Sequence, residues 1–189
     1  MRTALAACAV VLTALTARPA RADPQWNVSA ITGVCGSGTR DSFWQDTCWW
    51  NGLRGDVILG RAREKDVGIG PHLSLETAGF DDLRLGAGAT TVLPLIGSVP
   101  FALSAGGYAR SSSAGWEPGV AGSLFFGSRS YNFHGSYAIA AGLLVGLNVG
   151  LGDSRETAIV VAGQVDMLFL LMPFIAAYGW VHGPPDDHE

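Results

Sequence analysis

Three groups of residues in this sequence have types and spacings that could do chemistry. His134-Gly135-Ser136 places an imidazole and a hydroxyl two residues apart. On an extended strand such residues share a face, so the histidine could draw the proton from the serine and leave an oxygen nucleophile. No acid that could orient the histidine follows until Asp153. A polar histidine inside a barrel is the plainer reading. The second group is Arg54, Asp56, His72, Glu76, Arg84, Arg110, Glu117 and Asp166, charges of both signs scattered through otherwise apolar segments. Buried charges must pair or stay wet, so this set reads as a salt-bridged interior, or as the lining of a narrow polar path. The third is Cys35 and Cys48, with Phe43, Trp44, Trp49 and Trp50 between or beside them. Two thiolates without a nearby histidine are too few for a metal site, and an even pair in an exported chain reads as a disulfide. Trp44, Trp49 and Trp50 could form a ligand-stacking patch around that bridge.

The elements that must position these residues are strands. From Asp66 to Thr77 the odd positions are Val67, Ile69, Pro71, Leu73 and Leu75, and the even ones are polar or glycine. This period of two marks a strand with one apolar face. It recurs around Leu53–Leu59, Leu83–Thr90, Phe101–Arg110, Glu117–Phe126, Tyr131–Leu151 and Ile159–Phe169, and Trp26–Cys35 completes a set of eight strands. Turn signals lie between them at Glu64-Lys65, Gly79–Asp82, Pro94–Pro100, Ser111–Gly115, Gly127–Asn132 and Gly152–Ser154. The polar face carries Arg54, Asp56, His72, Glu76, Arg84, Arg110, Glu117, His134, Ser136 and Asp166. It is rich in glycine, and the chain holds a single lysine, Lys65. Small residues and mixed charges suit a narrow lumen better than a solvated surface, so the apolar face is expected to meet lipid. The expected fold is all-β, an eight-stranded antiparallel up-and-down transmembrane β-barrel over residues 23–169. Residues 170–189 form an extension, with an interfacial helix and a polar tail as its candidate parts.

Two other architectures compete. Tyr137–Leu151 and Thr157–Val181 are apolar enough to resemble membrane helices, and Gly142, Gly146 and Gly150 are spaced for helix packing. That reading buries Asp166 in a span at a cost of about 3 kcal/mol and leaves the alternation at Asp66–Thr77 unexplained. A soluble lipocalin-like carrier would turn the apolar face inward.

The pattern from Trp26 to Phe169 resembles the small eight-stranded outer-membrane barrels of Gram-negative bacteria, the OmpA-type and OmpW-like group. The resemblance implies an outer-membrane location, both termini in the periplasm, contact with outer-membrane lipid and recognition by the barrel-assembly machinery. That machinery reads a last strand ending in an aromatic residue, for which Val161, Val165, Met167 and Phe169 are candidates; the continuation to Glu189 departs from the group. His134-Gly135-Ser136 resembles the His-x-Ser element of outer-membrane lipid A deacylases. That family has asparagine after the serine where this chain has Tyr137, an orienting acid along the strand, and a pair that faces lipid. The aromatic residues Trp26, Trp49, Trp50, Tyr108, Trp116, Tyr131 and Phe133 fall near strand ends, where interfacial girdles belong.

Composition narrows the function classes. The 189 residues are 48% hydrophobic and 15% charged, and 12 Lys+Arg against 16 Asp+Glu offer no basic field for nucleic acid. Met1–Ala22 has Arg2, an apolar run from Ala4 to Ala17, and Ala20-Arg21-Ala22 as a cleavage site, the form of a secretory signal peptide. Gly86-Ala87-Gly88 lacks the helix that a dinucleotide site requires, and no metal signature or cofactor fingerprint stands out. The expected protein is a non-enzymatic outer-membrane barrel of structural or small-solute-passage role. A lipid-modifying hydrolase using Ser136 and His134 is the alternative from a different class.

Overall fold

The computed structural model describes residues 23–39, 42–63, 65–96, 99–112, 115–129 and 137–182. Among the described residues, eight strands close into one antiparallel, up-and-down barrel in chain order, and one helix follows. The strands are β1 (Gln25–Thr39), β2 (Ser42–Ile58), β3 (Gly68–Ala78), β4 (Asp82–Ile96), β5 (Val99–Ser112), β6 (Gly115–Arg129), β7 (Ala140–Gly150) and β8 (Glu156–Asp166). The helix is α1 (Met167–His182). β1 pairs with both β2 and β8, which closes the ring. The chain starts β1 and leaves β8 at the same end, here called the terminal end; the β1–β2, β3–β4, β5–β6 and β7–β8 turns mark the distal end.

The alternation read from the sequence sorts onto the two faces of this wall. Leu73 (67% exposed), Ile69 (58%) and Leu103 (53%) point outward, while Arg84 (2%) and Thr90 (1%) point inward. Leu53, Leu75, Leu85, Leu124, Leu143, Val145, Leu147 and Val161 extend the exposed apolar belt around the barrel. A water-soluble barrel has the opposite distribution, with its apolar residues filling the interior. Inside, Ile58, Val92, Ala102, Phe125 and Ala140 form an apolar cluster. A second cluster unites Ile31, Cys35, Trp50, Leu144, Val160 and Ala162.

Several boundaries differ from the expectations. β1 and β2 are longer, so Cys35 and Cys48 face each other directly in the ladder, with Cα atoms 5.0 Å apart, and are joined by a disulfide. Phe43 and Trp44 therefore belong to β2 and not to a loop. The Trp44 ring covers Gly36, where an added Cβ would come within 2.1 Å of it. The bridge fixes a hairpin that is already paired, so reduction should leave the barrel closed. It should cost at most about 3 kcal/mol, the chain-entropy value for a loop of this size, in urea unfolding with and without reductant. Turn signals also overstate the gaps: β4 runs through Pro94 to Ile96, β5 starts at Val99, and β6 reaches Arg129.

The last strand shows the largest departure. β8 ends at Asp166, and Met167 and Phe169 begin α1 in place of the expected aromatic strand end. Asp166 is paired with Ser29, so β1 continues four residues further, to Gln25, without β8 beside it. The connection into β7 takes the vacated place. Trp26 bridges Tyr137, the Ala138 N–H donates to the Trp26 carbonyl at 2.9 Å, and Asn27 Nδ2 donates to the Ala138 carbonyl at 2.6 Å. With its ladder position occupied, the chain leaves the wall at Asp166, whose Oδ1 accepts the Leu168 N–H at 2.8 Å as a helix cap.

Candidate functional site

The barrel interior is the candidate site, since inward parity brings charged side chains from most strands together there. Near the distal end, Arg84 on β4 reaches Asp82 Oδ2 and Glu156 Oε1, both at 2.9 Å. Arg110 on β5 bonds Asp82 Oδ2 through Nε at 2.6 Å, pairs with Glu156, and stands 4.0 Å from Glu117. Glu117 accepts in turn from the Ser154 hydroxyl and, at 3.1 Å, from the Ser154 N–H. The Arg84 guanidinium lies 4.9 Å from the Trp50 ring centre and 5.6 Å from that of Tyr108. Two carboxylates and two aromatic faces thus hold a cation that is almost fully buried, and each contact offsets part of its desolvation.

Toward the terminal end, Arg129 on β6 makes a two-pronged pair with Asp56 on β2, with Nη1 donating to Oδ2 at 3.2 Å and Nη2 to Oδ1; both side chains are 2% exposed. Arg54 has no direct carboxylate contact among the described residues. Its donors go to the hydroxyls of Thr90 at 2.8 Å, Ser123 at 3.2 Å and Ser104. His72 Nδ1 lies 3.1 Å from the Thr90 hydroxyl. At the mouth, Asp166 accepts from Asn27 Nδ2 at 2.6 Å and from the Tyr137 hydroxyl at 2.7 Å. Ser29 links Asn27 to Gln164.

In a closed ring of eight strands, strands four apart face each other across the lumen. Arg84–Glu156 joins β4 to β8, and Arg129–Asp56 and Arg54–Ser123 both join β2 to β6. These side chains therefore cross the interior and do not merely line it. Between the clusters a cavity of about 40 Å³ is lined by Arg54, His72, Glu76, Tyr108 and Asn148, room for roughly two or three water molecules. Gly88 and Gly106 oppose each other across β4 and β5, and a Cβ on Gly88 would meet the Gly106 Cα at 2.6 Å, so this part of the wall has no room for a side chain.

All eight charged residues picked from the sequence lie on the inward face: Arg54, Asp56, Arg84, Arg110, Glu117 and Asp166 in the bonded clusters, and His72 and Glu76 around the cavity. Sequence reasoning missed Asp82, Arg129 and Glu156, placing the first two in turns. Each keeps the inward parity of its strand, so carrying the alternation to the strand tips would have found them. Trp50 (1% exposed) and Tyr108 (8%) were expected in an interfacial girdle and are interior residues beside Arg84. Trp26 (45%), Trp49 (53%) and Trp116 (60%) do face outward. His134, Ser136, Tyr131 and Phe133 lie outside the described residues. No protein-family model matches this chain, and neither does any curated protein or solved structure.

Proposed function

We propose that this chain is a non-enzymatic outer-membrane β-barrel of structural role, exported through a signal peptide at Met1–Ala22 and similar in kind to the OmpA-type and OmpW-like group. One observation carries the reading: a closed wall with an apolar outer belt and a charged, hydrogen-bonded interior. In water such a belt far exceeds the few hundred Å² of contiguous apolar surface that soluble monomers tolerate. In a bilayer it is the surface that lipid requires, and closure pairs the backbone groups that hydrocarbon cannot satisfy. β3, β7 and β8, with 11 residues each, have the length of a tilted transmembrane strand. On this reading the terminal end faces the periplasm and the disulfide hairpin faces outward from the cell.

Among roles for such a barrel, the side chains crossing the lumen favour a structural element over a route for solutes. Passage would require Arg84–Glu156 and Arg129–Asp56 to part. The expected results are outer-membrane fractionation of the full chain in a Gram-negative host, and faster gel migration before boiling than after. In planar bilayers the conductance should be far below that of an open porin. Release by carbonate without detergent would instead point to a soluble barrel, and inner-membrane location without the mobility shift would remove the outer-membrane reading.

A further inference from the structure

The helix α1 is the part of the molecule that the barrel does not explain. From Leu168 to Val181 every residue is exposed, reaching 71% at Phe174 and 94% at Trp180. Its sequence, MLFLLMPFIAAYGWVH, contains no acidic residue, lysine or arginine, and among the described strands it packs chiefly against β8 and β1. Apolar side chains run all around it, so it has no polar side to turn toward water. A helix lying along the membrane surface needs such a side. No described helix is long and apolar enough to cross a membrane. Its 16 residues span about 24 Å.

The place where α1 begins points to what surrounds it. The chain leaves the wall at the level of Ser29, yet the outward apolar surface continues past that level through Val28 (36% exposed) and Trp26 (45%). Trp26 lies three residues, about 10 Å, further along β1. The helix therefore starts beside the apolar belt and not beyond its edge. We propose that α1 is buried in the hydrocarbon of the bilayer leaflet adjoining the terminal end, as a second lipid-embedded element continuous with the belt. This proposal rests on the membrane reading of the barrel. Lipid acyl chains are the occupant because they suit a helix that is apolar on every side and emerges within a lipid-facing surface. Pro173 is compatible with that setting, since its helix interior position costs one backbone bond and a kink but adds no charge.

The test uses the full chain in lipid vesicles, with single cysteines added beside the native disulfide. Ile175→Cys reports α1, Leu124→Cys the barrel belt, and Asp153→Cys the water-exposed β7–β8 turn. A charged, membrane-impermeant maleimide should label Asp153→Cys, and labelling should be lost at both Leu124→Cys and Ile175→Cys until detergent is added. A fluorophore placed on Ile175→Cys should be quenched by phospholipids brominated on their acyl chains, as at Leu124→Cys. Rapid labelling of Ile175→Cys with Leu124→Cys protected would overturn the proposal and leave the membrane barrel standing. Protection without quenching would also overturn it, because protein and not lipid would then cover the helix. Rapid labelling at all three positions would remove the membrane reading itself.

Discussion

Replacing Arg84 with alanine should lower the folding free energy by about 3–5 kcal/mol, the range for removing one partner of a buried ion pair. The side chain is 2% exposed and serves Asp82 and Glu156 at once. Without it the two carboxylates share Arg110 alone, and Trp50 and Tyr108 face an empty space where the guanidinium stood. Arg84→Lys should recover only part of the loss, since an ammonium could serve both carboxylates but cannot lay a planar group against the Trp50 and Tyr108 rings. Urea-dependent folding into vesicles, read by gel mobility, gives the free energies. Bilayer conductance should rise in Arg84→Ala, because one of the side chains crossing the lumen is gone. A variant that keeps wild-type stability and conductance would mean that this cluster is too wet to matter.

The pair between Asp56 and Arg129 should behave in a way that separates pairing from packing. Asp56→Ala alone leaves a guanidinium, 2% exposed, without its carboxylate, and a loss of about 3–5 kcal/mol is expected. The double replacement Asp56→Leu with Arg129→Met should be far less harmful than either single change predicts. Two apolar side chains of similar bulk need no compensation in a closed interior, and buried pairs replaced in this way are often neutral or stabilising. A double-mutant cycle measures the difference. Additive losses would show that the two residues act separately.

The fold was legible because alternation is a strong signal when one face is apolar without exception, as from Val67 to Leu75. Which face points inward followed from chemistry: glycine and mixed charge crowd together only where space is short. Strand tips were harder to read, since Pro94, Gly127 and Asp82 are turn-forming types in local terms and become strand residues once neighbouring strands supply partners. Trp50 shows the same limit for the site. Its type suggests an interface, and only its shared parity with Arg54 places it inside. The end of β8 could not be read locally at all. Met167 and Phe169 continue the outward parity of Val161 and Val165, and what stops the strand is a distant segment, Tyr137 and Ala138, bonded to Trp26 where β8 would otherwise run.

The contacts between opposite strands have a mechanical consequence. A thin ring deforms most easily by becoming oval, with one diameter shortening as the one at right angles to it lengthens. Strands β2 and β6 mark one diameter of this ring, and β4 and β8 mark the other. Arg129–Asp56 ties the first and Arg84–Glu156 ties the second. Flattening along either axis must compress one tie and stretch the other, so the softest motion open to a cylinder is resisted in both of its phases. The first tie acts toward the terminal end and the second near the distal end, so a few side chains oppose ovalisation at two levels of the wall.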